Sequence, residues 1–327
     1  MPDIEDMSQE QLLDLAENES TAPEILLSLA NSANYALREN VAYNINTPPS
    51  VLSMLAEDQN PDVRRCVAIN PSTPPNVLSM LATDAEAPVR SGVGSNYSAS
   101  YATITKLATD AEAPVRSGTA LNINAPPAIL NKLATDEDGR VRSGVALNKN
   151  TPPAALSQLA TDDERFVRSF VAGNKRTSSA TLSMLANDHL PPVRTIVARN
   201  PNTPGGALKV LAGDSDLKII AEVIKNTNVT QEILQGIYNK LVKEDTLDEE
   251  FVLQLLSHNL LLEQTELSAL VAHYGEEVGK VVSQRGQLTK NSILDKQLSQ
   301  LGLTSVYRKD HENKSTTNSC NPINYAL

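Results

Sequence analysis

The chain has 327 residues and carries 39 Asp and Glu against 28 Lys and Arg, a formal net charge of −11. Affinity for nucleic acid rests largely on cations that neutralise phosphates, so this balance argues against that class of partner. With no Trp, eight Tyr, three Phe and only the cysteines Cys66 and Cys320, burial must come from many small aliphatic contacts, with neither a disulfide framework nor a four-thiolate metal site to help.

The opening stretch, MPDIEDMSQEQ, lacks the charged-then-apolar layout of a signal peptide. No apolar run reaches the roughly 18–20 residues that cross a membrane. The expectation is a soluble, reducing, cytoplasmic setting with no bound cofactor or metal.

From Asn18 onward the sequence repeats. Asparagine recurs every 26 residues at Asn18, Asn44, Asn70, Asn96, Asn122, Asn148, Asn174, Asn200 and Asn226. Eight residues after each comes an aliphatic residue, from Leu26 through Ile104 to Leu234. Aspartate keeps the step from Asp58 to Asp214, and arginine from Arg38 to Arg194, where Ile220 ends the series. A fixed period of this length marks a solenoid, in which each unit buries its apolar face only against its neighbours.

Within one unit, Thr47 is placed to cap a helix whose start tolerates Pro48 and Pro49, and Leu52, Leu55 and Ala56 form its apolar stripe over about three turns. EDQNPD is a polar turn. Val63, Val67 and Ala68 then line a second helix of about two turns, short enough to be partly 3₁₀. Past Ile237 the register slips: Asn259 follows Asn226 by 33 residues, as if about seven were inserted around LVKEDTLDEE. The phase resumes weakly through Leu267, Leu270, Val278 and Val282, and Ile293 fits a further unit. The expected organisation is a regular array over 1–239, degenerate closing repeats over 240–306 and a disordered polar tail over 307–327.

The pattern resembles the leucine-rich repeat variant family, through VRRCVAINPSTPPNVLSMLATD at 63–84 and its counterparts at 141–162 and 193–214. That resemblance implies an all-α fold, a right-handed α-solenoid superhelix of alternating α and 3₁₀ helices. The Asp-to-Val-Arg portion is also similar to the turn of HEAT repeats, in a HEAT- and armadillo-like class. The family's founding type carries an N-terminal cysteine cluster holding an iron–sulfur centre. No such cluster occurs here, and that cofactor is not carried over.

Candidate chemistry is weighed against this periodicity. Catalytic carboxylates need unlike environments, whereas Asp84, Asp110, Asp136 and Asp162 with Arg90, Arg116, Arg142 and Arg168 repeat one environment along the stack. They are expected to form a structural ladder within units, Asp58 with Arg64 and so on to Asp188 with Arg194. Asn96, Asn122, Asn148 and Asn174 are expected to supply local turn bonds. The histidines His189, His258, His273 and His311 lack metal-ligand spacing. Gly92, Gly118 and Gly144 allow close helix approach where Cys66, Phe170 and Ile196 stand in other units. Cys66 is expected to be a core or half-buried thiol.

The breaks in the repeat point to partner binding: Tyr97 and Tyr101 in NYSASYATITKL, and Arg165 and Phe166 in DDERFVRSF. Exposed tyrosine joins a large apolar face to a hydroxyl, which favours interfaces. The expected function is a non-enzymatic scaffold for another protein, one with a basic surface given the acidic total. The alternative is a repeat enzyme or nucleic-acid-binding protein, like HEAT-like DNA glycosylases or bilin lyases.

Overall fold

The computed structural model describes residues 7–258, 260–262 and 264–284. Asn259, Ile293, Cys320, His311 and the expected tail at 307–327 lie outside the described residues. Every regular element among the described residues is α-helical, and the chain divides into two compact units, up to Val229 and from Thr230.

In the first unit two kinds of helix alternate. One kind follows the Pro-Pro or equivalent dipeptide and spans seven or eight residues, as in Pro49–Leu55, Pro127–Leu133 and Gly205–Ala212. The other carries the recurrent arginine and spans nine, as in Pro61–Ile69, Ala113–Leu121 and Gly139–Leu147. The expected lengths are therefore reversed, and the arginine helix is α rather than 3₁₀. Asn60 caps it by accepting from the Asp62 amide, so the helix starts at Pro61, earlier than the apolar pattern alone suggests.

Thr47 also departs from its expected role. Pro48 occupies the cap position of the next helix, and the Thr47 hydroxyl instead donates backward to the Val41 carbonyl. Thr73 does the same to Val67 at 2.6 Å. The threonine thus closes the arginine helix behind it, because its side chain sits one residue too early to reach the next helix's first amides.

The core is the predicted aliphatic ladder. Leu26, Leu52, Leu78, Leu130, Leu156, Leu182 and Leu208 are fully buried, joined by Val63, Val67 and their equivalents from the arginine helices. These small residues let neighbouring arginine helices lie close together. A Cβ built on Gly118 would stand 2.7 Å from the Ser91 carbonyl oxygen, and one on Gly144 3.0 Å from the Ala120 Cβ.

The second unit contains Gln231–Lys243, Glu249–Ser257, Gln264–Tyr274 and helical residues 276–284. Gln231–Lys243 has thirteen residues against seven for Ser179–Leu185, so part of the inserted sequence is taken up as extra helix that runs through residue 239. Val252, Leu256, Leu270 and Val278 form this unit's core, with Leu267 and Val282 packed against it.

Candidate functional site

Two buried polar ladders hold the first unit together. Arg116 Nε donates to Asp136 Oδ2 at 2.6 Å and its Nη2 to Oδ1 at 2.9 Å, a bidentate fork across 20 residues of sequence. Its Nη1 donates to the Asp110 and Ala111 carbonyls at 2.9 and 3.0 Å. Arg38, Arg64, Arg90, Arg142, Arg168 and Arg194 repeat the fork to Asp58, Asp84, Asp110, Asp162, Asp188 and Asp214.

The carboxylate partner therefore belongs to the following repeat, and only the backbone of the same-repeat aspartate is touched. This corrects the expected pairing of Asp58 with Arg64. The long guanidinium stem spans the gap between stacked helices, which six residues of local chain cannot show.

Each aspartate also holds its own corner, as Asp110 Oδ1 accepts from the Glu112 amide at 3.0 Å. The hydrogen bond from the Arg90 guanidinium holds the Asp110 carboxyl below the usual 3.8, against the opposing effect of burial, and Arg38 does the same for Asp58. The series ends coherently: the position after Asp214 in register is Lys240, and Ile220 stands fully buried where the next arginine would be.

The asparagines form the second ladder. Asn148 Nδ2 donates to the Ala120 and Asn122 carbonyls at 2.7 and 2.8 Å, while its Oδ1 accepts from the Asn150 amide. Asn96, Asn122 and Asn174 repeat this pattern. The local turn bond expected from sequence is present, and two bonds to the preceding repeat accompany it. Buried and with both amide hydrogens used internally, these side chains are closed to a partner.

A further row escaped sequence reading. Asn124, Asn150 and Asn202 donate to the Tyr97, Ile123 and Lys175 carbonyls one repeat earlier, at 2.7, 2.5 and 2.6 Å. The Asn-x-Asn doublets at 122–124, 148–150 and 200–202 were its visible signal. At the equivalent position Arg176 makes only a 3.5 Å approach to the Asn150 carbonyl.

Among the described residues, the outer stripe of the arginine helices and the corners that follow them form a surface that these ladders leave free. One register of that surface reads Tyr43, Ile69, Ser95, Leu121, Leu147, Gly173, Arg199 and Lys225. A neighbouring register reads Ile45, Pro71, Tyr97, Ile123, Lys149, Lys175, Pro201 and Thr227. Both begin largely apolar and become cationic or polar after Leu147. Tyr97, Leu121, Ile123 and Leu147 are about half exposed, and Lys149, Lys175 and Arg176 are exposed.

Acidic residues instead gather at the start of the arginine helices, with Glu86, Glu112, Asp138 and Glu164 at successive caps. Anions at helix starts and cations after helix ends both suit the helix dipole. The net charge of −11 therefore hides a segregated surface.

The surface opens where its small residues end. Phe170 and Ile196 replace the glycine that sets the close approach in the preceding units, and Gly173 faces Ile196 at ordinary contact distance, 3.5 Å from its would-be Cβ. A cavity of about 530 Å³ results, floored by Leu147, Phe170 and Ile196 and rimmed by Lys149, Lys175 and Arg176.

Tyr97 is 55% exposed, Tyr101 65% and Phe166 55%, with the Arg165 guanidinium 4.5 Å above the Phe166 ring. The two sets of residues are not gathered into one site, since a full repeat, 122–147, separates them. Phe166 does share its helix stripe with Phe170 and Gly173 of the cavity.

Cys66 is buried, and burial followed by the nearby Glu39 carboxylate pushes its thiol up to about 11, unsuited to nucleophilic work at neutral pH. Among the described residues no cluster of three metal-ligating side chains occurs, and no helix is long and apolar enough to cross a membrane.

Comparison with known proteins agrees with this architecture. The family model for "Leucine rich repeat variant" matches residues 139–164 and 191–216. A solved structure described as a leucine-rich repeat variant with a novel repetitive protein structural motif is similar at 24% identity, covering 70% of this chain and 88% of that one with a TM-score of 0.51.

An engineered protein (17% identity, 79% and 91% coverage, TM-score 0.34) and a designed armadillo repeat protein (13%, 84% and 97%, 0.12) superpose too loosely to bear on it. Comparison with curated proteins returns no match. Two units matched in sequence, set within an array that repeats their bonding pattern, mark the chain as an all-α helical repeat protein whose units at 139–164 and 191–216 are similar to those of the leucine-rich repeat variant family.

Proposed function

We propose that the protein is a non-enzymatic scaffold that binds another protein along the outer stripe of its arginine helices. The observation that carries this reading is the row of half-exposed apolar side chains, Tyr97, Leu121, Ile123 and Leu147, on successive repeats of one face. Contiguous apolar surface on a water-facing element favours contact with a partner. The recurrent Asp, Arg and Asn side chains support a non-catalytic role, because each is consumed in bonds between repeats.

The total charge favours a basic partner, but the charge near this face is cationic, so the partner segment that meets it is acidic. Tyr97 belongs to the binding row in this reading, with Tyr101, Arg165 and Phe166 flanking it. The test is affinity capture from the source cell, comparing wild type with a Leu121→Ser, Ile123→Ser double variant. A protein retained by the wild type and lost by the variant, with both folded by circular dichroism, supports the scaffold. Equal retention removes this face from consideration.

A further inference from the structure

We infer that the cavity between Leu147, Phe170 and Ile196 is an anchor pocket for one bulky apolar side chain of an extended acidic peptide, with Lys149, Lys175 and Arg176 holding carboxylates on either side of that anchor. This rests on the scaffold reading and names the segment of the partner that the face selects.

Size and lining argue for a side chain as the occupant. At about 530 Å³ the cavity lies in the range of small-ligand sites, and its floor is aromatic and aliphatic while its rim is charged. A pocket of that composition takes an apolar anchor and rewards anionic neighbours, whereas a purely apolar ligand would leave three cations without partners.

Continuity argues for a peptide. Leu147 belongs both to the cavity and to the exposed row that runs back through Leu121, so an occupant entering the cavity has apolar surface to follow. The rim repeats with the stack: Lys149 and Lys175 stand in the same register one repeat apart. Packed helices lie roughly 8–10 Å apart, and an extended chain rises about 3.3 Å per residue. Acidic residues about three positions apart on a peptide therefore match successive rim lysines.

Local sequence supports a built feature. The run FVAGNKR at 170–176 departs from the repeat at Phe170 and again at Arg176, where other units carry an asparagine or serine that bonds the preceding corner. Arg176 gives up most of that bond and keeps its charge at the cavity mouth.

The experiment is fluorescence anisotropy with a short labelled peptide bearing one central phenylalanine and glutamates on both sides. Two control peptides replace the phenylalanine with serine or the glutamates with lysine. The full chain is used as wild type, as Lys149→Glu with Lys175→Glu, and as Gly173→Leu. The charge-reversed side chains are exposed, and leucine at Gly173 raises helix propensity while filling the cavity, so both variants should melt no lower than a few degrees below wild type.

The expected result is binding of the acidic phenylalanine peptide that weakens about tenfold or more in each variant, with each control peptide, and with added salt. No binding to wild type, equal binding to both variants, or preference for the lysine peptide overturns the assignment. Binding of a free fatty-acid anion such as laurate, without the peptide, overturns it in favour of a small amphipathic ligand. The outcomes separate the two proposals: if the peptide fails while Leu121→Ser with Ile123→Ser still releases a captured protein, the pocket falls and the scaffold stands.

Discussion

At the scale of single residues, the Arg–Asp fork is the feature whose energetics can be assigned. Arg142 donates to the Asp162 carboxylate and to the Asp136 carbonyl. Removing it leaves a nearly buried carboxylate without its partner, at a cost expected near 2–3 kcal/mol once partial exposure is allowed for. In a double-mutant cycle read by urea denaturation, Arg142→Ala should couple to Asp162→Ala and not to Asp136→Ala. Coupling to Asp136 would restore the within-unit pairing that the sequence suggested.

The same forks set a pH dependence. Asp58 and Asp110 hold their carboxyls below 3.8 in the folded chain through Arg38 and Arg90, so the unfolded chain takes up protons first as the solution is acidified. Their stabilisation is complete at neutral pH, declines as pH falls through 3.8, and is gone below the lower folded values. The urea midpoint should stay level from about pH 7 to 5 and drop below about pH 4. A midpoint that rises on acidification through that window would contradict the assignment.

At the scale of helices, spacing is set by what stands at one position of the arginine helix. Glycine at 118 is needed because a Cβ would collide with the Ser91 carbonyl, whereas one at Gly173 would meet only the Ile196 Cγ2 methyl, at an ordinary 3.5 Å. Gly118→Ala should therefore destabilise by about 1–3 kcal/mol, as overpacking does, while Gly173→Ala should be neutral or stabilising by up to about 1 kcal/mol. Equal effects in thermal melts would mean that the helices are evenly spaced.

This is also where sequence reading stopped. Asn, Leu, Asp and Arg recur at 26 and give the unit directly, but Arg64 lies 6 residues from one aspartate and 20 from another, and nothing in a one-dimensional pattern chooses between them. Thr47 was misplaced for a related reason: a hydroxyl beside a proline pair looks the same whether it serves the helix ahead or the one behind. The cavity was not legible at all, since it depends on how far Phe170 and Ile196 hold their helices apart. Of the cavity residues that differ from their counterparts, Phe170 was legible as a break in the repeat, while Arg176 was not singled out.

At the scale of the whole chain, the first unit is a sum of neighbour contacts. The segment LATDAEAPVRSG at 81–92 is repeated at 107–118, so deleting residues 85–110 rejoins the chain without changing the sequence across the junction. The shortened protein should fold with the same helical signal per residue and melt a few degrees lower, having lost one set of neighbour contacts. Loss of cooperative unfolding would show that the removed unit does more than its neighbours. The deletion also removes Tyr97 and Tyr101 while leaving Lys149 to Ile196 in place, so peptide binding at the cavity should survive it.

A stack whose rungs all carry the same bonds has translational symmetry, and a ligand lying along it gains nothing by preferring one rung to the next. The replacement of glycine by Phe170 and Ile196, together with the turn from apolar to cationic corners at Lys149, is a dislocation in that lattice. It gives the surface an origin. A segment anchored there is favoured in one frame, since sliding it by one repeat would cost it the cavity and part of its counter-charge.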